Sequence, residues 1–292
     1  MVLLLTSRRV AATILLSCVS AVEAIEFPAT LEVDIIYPRN GTFAPTVLTP
    51  IVFAIRNPQL AEPLDINFSW DIYKESQPLG DGPFSSGSKD LRWVDFSNIS
   101  DPYFVYTYSK MLDVEDSWWI RWELAWGNCS KIPSTIDSVE ISFGRRNNVI
   151  EFTTKNGAKQ LDLASVNTPD DDTCGNVTDT RVAFNVTGVL DTPRPDKYDD
   201  RETCAVLAPP SNATAPPPTR TCGAEVGASA ASSISAAITS RACAGFATDP
   251  NVTCPPESPS SAAKSKEVQF LAGMTTWLNT LVFAGVAYIL IA

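Results

Sequence analysis

Between residue 25 and about residue 189, apolar and polar residues alternate at a period of two in one short segment after another, with no sustained helical spacing between them. In Ile66-Asn67-Phe68-Ser69-Trp70-Asp71-Ile72 the four apolar residues share one side, and Asn67, Ser69 and Asp71 share the other. That is the pattern of a strand with one buried and one wet face. Comparable segments lie at residues 31–37, 51–56, 103–109, 117–126, 139–143, 149–154, 161–166 and 182–187. Asn156-Gly157 predicts a tight turn, because both residue types accept positive φ, and the polar residues 145–148 predict another one connection earlier. Residues 139–166 therefore read as a three-strand meander. About nine short strands without intervening helices predict a mainly β chain, an antiparallel immunoglobulin-like or fibronectin-like β-sandwich.

A second signal marks the same outer faces. Eight N-x-S/T sequons occur, at Asn40, Asn67, Asn98, Asn128, Asn176, Asn185, Asn212 and Asn251. An occupied sequon must face solvent. Asn67 and Asn185 fall on the polar side of their strands, with Val182, Phe184 and Val186 opposite Asn185. Together the sequons suit an exported chain that meets the glycosylation machinery, and both ends agree. Arg8 and Arg9 precede an apolar run over residues 10–22 and a small-residue site ending at Ala24, which reads as a signal peptide over 1–24. The last 25 residues carry no charge, and the small residues around Ser261 followed by a partly polar spacer match a GPI-attachment signal over 262–292. A retained transmembrane helix with the same orientation is the alternative. Either tail places the protein extracellularly, at the cell surface, with the membrane as a partner through a lipid anchor or a C-terminal helix.

Cys18 lies in the signal, which leaves Cys129, Cys174, Cys204, Cys222, Cys243 and Cys254. In an oxidising compartment these six imply three disulfides, in any of fifteen pairings. Residues 25–205 make the expected sandwich. Residues 206–243 read as a Pro-rich linker followed by a short disulfide-tied helix, on which Val226, Ala230, Ile234, Ala237 and Ile238 share a face. Residues 244–261 read as a Pro/Ser/Thr stalk.

The chain contains no histidine. This removes Ser-His-Asp and Cys-His relays, imidazole-bound zinc, and copper monooxygenases that need an amino-terminal histidine where the processed chain offers Ile25. No phosphate-binding loop or nucleophile elbow occurs, and Asp170-Asp171-Asp172 lacks the alternating ligands of a calcium loop. No catalytic residue, metal site or cofactor is assigned. The net charge is -11, and each terminal processing segment carries +1, so the mature part is at -13. Such a surface repels phosphate backbones and excludes a nucleic-acid partner.

In Ser117-Trp118-Trp119-Ile120-Arg121-Trp122-Glu123-Leu124-Ala125-Trp126, one strand face carries Trp118, Ile120, Trp122, Leu124 and Trp126, as a sandwich core requires. Trp119, Arg121 and Glu123 fall on the other face and are the candidate ligand-binding residues. Two further readings stay open: a carboxylate pair for glycoside hydrolysis, drawn from Asp113, Glu115, Asp116 and Glu123 or from Glu32 and Asp34, and a glycan-binding module using Trp119 and Arg121. The leading reading is a non-catalytic surface or wall glycoprotein, in contact with cell-wall polysaccharide or surface proteins.

Ile36-Tyr37-Pro38-Arg39-Asn40-Gly41-Thr42-Phe43-Ala44-Pro45, with Pro50-Ile51-Val52-Phe53-Ala54 and Ile66-Asn67-Phe68-Ser69-Trp70, resembles a family of fungal secreted proteins, the domain of unknown function numbered seven-one-three-six. The resemblance spans roughly residues 27–243. It implies a fungal surface protein and brings no activity or catalytic residue with it.

Overall fold

The computed structural model describes residues 25–96, 99–132, 139–166, 180–192, 201–209, 223–244 and 251–255. The signal and tail segments, Ser261, residues 210–222 of the Pro-rich stretch, Asp170-Asp171-Asp172, Cys174, Cys222, Asn98, Asn176 and Asn212 lie outside the described residues.

Two five-stranded sheets form the body. One joins β1 (Ala29–Tyr37), β3 (Thr49–Arg56), β6 (Tyr103–Ser109), β9 (Arg181–Asp191) and β10 (Thr203–Leu207) in the order β10-β9-β1-β3-β6. The other joins β2 (Thr42–Phe43), β4 (Asn67–Lys74), β5 (Ser85–Asp90), β7 (Asp116–Lys131) and β8 (Val139–Thr154) in the order β2-β8-β7-β4-β5. All neighbours are antiparallel except β2, which runs parallel to β8. If β1, β3, β4, β5, β6, β7 and β8 take the letters A, B, C, C′, E, F and G, the sheets read A-B-E and G-F-C-C′. This is immunoglobulin pairing, with β9 and β10 added outside β1.

The core follows the period-two pattern. Leu31, Val33 and Ile35 of β1 and Ile51, Phe53 and Ile55 of β3 meet Phe68, Trp70 and Ile72 of β4 and Trp118, Ile120, Trp122 and Leu124 of β7. Immunoglobulin domains join strands B and F by a disulfide beneath a strand C tryptophan. Here Phe53 and Trp122 occupy that place at 5.8 Å between ring centroids, and Trp70 lies 5.7 Å from Phe53. Among the described residues the cross-sheet covalent tie sits elsewhere: Cys129 of β7 bonds Cys204 of β10. Beside it the Leu207 N–H donates to Asn128 Oδ1 at 2.8 Å.

Three expectations are corrected. Residues 145–148 do not turn: β8 is one unbroken 16-residue strand, and Arg145, Arg146, Asn147 and Asn148 pair in register with Ala125, Leu124, Glu123 and Trp122. The polar run marks where the strand extends past its covering sheet, since Arg145, Arg146 and Asn147 are all exposed. Residues 161–166 are not a strand. They hold a 3₁₀ turn, Leu163–Ser165, capped by Asp162, whose carboxylate accepts the Ala164 N–H at 3.0 Å. The turn at Asn156-Gly157 is present, with Gly157 at φ 79°, but it leads into that capped segment and closes no hairpin.

The helix α1 (Ala228–Cys243) lies on the outer face of the β1-containing sheet. Ile234 and Ile238, with Val226 just before the helix, pack on Ile36, Val52, Ala54 and Leu163. This third layer explains why β1 is buried on both faces from Leu31 to Tyr37. Of the expected helical face, Ala230 and Ala237 are only partly buried. Cys243 bonds Cys254 at the helix end. Among the described residues, no helix is long and apolar enough to cross a membrane.

Candidate functional site

The inward face of β7 is core, as expected, with Trp118, Ile120, Trp122 and Leu124 each at most 1% exposed and Trp126 partly buried against them. That leaves Trp119, Arg121 and Glu123 on the outer face of the β4–β7–β8 sheet. Register sets their neighbours: Trp119 lies between Tyr73 of β4 and Glu151 of β8, and Arg121 lies between Asp71 and Val149.

Trp119 stacks on Tyr73 with ring centroids 4.0 Å apart and planes 10° from parallel. β4 and β8 flank β7 on opposite sides, so the other face of the indole is turned toward β8 and β2. A groove of about 270 Å³ opens there, lined by Asn40, Thr42, Ser117, Trp119, Glu151 and Thr153, with Glu75 at its end. Glu75 and Glu151 are both exposed. Thr153 pairs with Ser117 on one side and with Thr42 on the other, so three hydroxyl residues cross the groove in one row. An aromatic face beside hydroxyls, carboxylates and an amide matches a sugar ring, whose C–H face is apolar and whose edge is a ring of hydroxyl groups.

Arg121 and Glu123 lie farther along the same face and outside this groove. Arg121 Nη2 donates to Asp71 Oδ2 at 2.5 Å, and its guanidinium sits 5.8 Å from the Tyr73 ring centre. The Asp71 hydrogen bond, aided by nearby charges, raises the Arg121 pKa above its ordinary value. Glu123 meets Arg145 at 3.5 Å. Both side chains thus belong to a cross-strand charge ladder.

The carboxylates named for hydrolysis are dispersed among structural partners. Asp116 pairs with Lys74 at 2.7 Å. Glu115 accepts the Asn156 N–H. Asp113 stands exposed in the approach to β7. Asp34 is fully buried and accepts from Arg181 Nε at 2.6 Å and the Ala224 N–H at 3.1 Å, fastening β1 to β9 and to the lead-in of α1. Glu32 faces a separate cavity of about 400 Å³ with Arg56, Asp101 and Glu225, its carboxylate 3.9 Å from Arg56 Nε. Among the described residues, no group of three Cys, Asp or Glu side chains is arranged to hold a metal ion.

Asn40 and Asn251 are exposed, and Asn67, Asn128 and Asn185 are half-buried. The sequence signal for Trp119 was its phase on β7. Nothing in the linear pattern tied Asn40, Thr42, Glu75, Glu151 and Thr153 to it, because their convergence depends on which strands become neighbours.

No curated protein and no solved structure matches the chain. One family's profile matches residues 26–254, most of the chain, and the protein accordingly belongs to the family described as a domain of unknown function (DUF7136).

Proposed function

We propose that this protein is an exported, non-catalytic surface glycoprotein whose sandwich holds saccharide in the Trp119 groove. The single observation that carries the reading is the Trp119 indole, backed by Tyr73 on one face and turned by its other face into a groove lined with hydroxyls and carboxylates. The terminal segments, the sequons and the fungal resemblance support a site at the cell surface or wall, held by a lipid anchor or a C-terminal helix. The acidic mature part suits neutral polysaccharide better than polyanions.

Glycan and wall-polymer panels probed with secreted Asn40→Gln protein, in which the sequon lining the groove can carry no glycan of its own, test this. Trp119→Ala is expected to weaken binding roughly tenfold or more, as loss of an aromatic stack together with its buried area requires. Arg121→Ala, outside the groove, is expected to change it by no more than about twofold. A panel with no saccharide ligand, or one indifferent to Trp119→Ala, contradicts the reading.

A second reading, a wall glycosidase, is favoured by Glu75 and Glu151 lining one groove. Turnover of glucan or chitin oligomers by the secreted protein, abolished in Glu75→Gln or Glu151→Gln, would establish it in place of the first.

A further inference from the structure

The groove that holds Trp119 also holds a sequon. Asn40 lines it, and Thr42, which completes Asn40-Gly41-Thr42, is the first residue of β2. β2 runs parallel to β8, with Thr42 beside Thr153 and Phe43 beside Thr154. Asn40 and Gly41 bend just ahead of β2, and Asn40 lines the groove together with Glu151, the direct partner of Trp119. Glu151, Trp119 and Tyr73 form one row across the sheet, and Asn40 borders the groove on the β2 side of that row. Two strand spacings separate β2, which Asn40 precedes by two residues, from β7, about 10 Å of backbone. An asparagine side chain followed by one pyranose ring covers that span. The backbone is fixed where it matters, since the Thr153 N–H donates to Gly41 O at 2.9 Å and the Lys155 N–H to Phe43 O at 2.9 Å.

We infer that the saccharide seated in the groove is the chain's own N-linked glycan on Asn40, its first N-acetylglucosamine packed against the free face of Trp119. This rests on the saccharide reading above and names the ligand. Tethering decides between this sugar and a free one. A ring held by a short linker has an effective concentration on the order of millimolar or higher, while a groove with one exposed aromatic face gives a free monosaccharide only weak affinity. An attached glycan therefore excludes dissolved competitors. Glu151, Thr153 and Ser117 present hydrogen-bond partners to the hydroxyl edge of the ring, and the Tyr73 stack holds the indole upright to receive its apolar face. The β2–β8 edge of the sheet is covered in the same stroke, where an unpaired strand would otherwise invite pairing with another chain.

Hydroxyl-radical footprinting of the exported protein, read residue by residue by mass spectrometry, tests the inference. Wild type is compared with Asn40→Gln and with Thr42→Ala, which removes the sequon but keeps the asparagine. Trp93, 67% exposed and outside the groove lining, serves as internal standard. The expected result is an occupied Asn40 and a Trp119 oxidised several-fold more slowly in wild type than in both variants, with Trp93 unchanged. An unoccupied Asn40, or equal Trp119 oxidation in the three proteins, overturns the inference. A further arm adds diacetylchitobiose to Asn40→Gln protein. Protection of Trp119 there, with equal oxidation in the three proteins without added sugar, sinks the tethered-glycan inference and keeps the saccharide reading. No protection in either arm sinks both.

Discussion

At the scale of single residues, two glycines show how closely tryptophan packing is specified. A Cβ built on Gly144 of β8 would stand 2.4 Å from the Trp126 ring, and one on Gly87 of β5 would stand 2.4 Å from Trp70. Both indoles lie flat across a neighbouring strand, which only a residue without a side chain permits. Gly144→Ala and Gly87→Ala are each expected to cost about 1–3 kcal/mol in urea denaturation, by overpacking. Asp90 gives a pH signature. Arg92 donates to it through Nε at 2.9 Å and through its backbone N–H at 3.0 Å, and the side-chain hydrogen bond holds the carboxyl below its usual range. A group whose folded pKa is depressed contributes stability that is complete above its unfolded value, near about 4, and that fades as pH falls through the lower folded value. Asp90→Asn should therefore lower the Tm at pH 7, and its gap from wild type should close as the solution is acidified below about pH 4. At this scale the sequence was most legible where alternation was strict: the inward and outward faces of β4 and β7 follow directly from residue parity. It was least legible for Asn148 and Arg146, polar residues that fill strand positions only because long-range pairing places them there.

At the scale of elements, strands with one buried face were readable and edge strands were not. β5 is Ser85-Ser86-Gly87-Ser88-Lys89-Asp90, a polar edge whose only instruction is its register on β4. β10 was hidden at the expected boundary of the sandwich near residue 205, yet it pairs with β9 from Thr203 to Leu207 and carries Cys204. Capping decides the segment after β8, where Asp162 draws the chain into a 3₁₀ turn in spite of apolar residues at a strand-like spacing. The Cys129–Cys204 bridge closes a separation of 75 residues and ties the two sheets at the β10 edge. Replacing both cysteines with serine is expected to cost about 2–5 kcal/mol in chemical denaturation, because a long loop is released in the unfolded chain. An unchanged midpoint would show that the Asn128–Leu207 hydrogen bond and core packing suffice to hold that edge.

At the scale of the whole molecule, three layers share the load: the β4–β7–β8 sheet, the β1-containing sheet, and α1 packed outside it. Among the described residues the first sheet keeps its outer face open, and the second has part of its outer face covered by the helix. The candidate site lies on that open face, where Trp119 stands between Tyr73 and the groove. Fold class could be read from the chain because burial imposes periodicity. The groove could not, because it is assembled from β2, β4, β7 and β8, whose adjacency no local pattern encodes. The most direct measurement of the central claim follows the Trp119 indole N–H resonance of Asn40→Gln protein during titration with diacetylchitobiose. The account predicts a saturable shift confined to Trp119 and its groove neighbours and absent in a Thr153→Val, Glu151→Ala protein; a Trp119 resonance that stays fixed throughout the titration would contradict it.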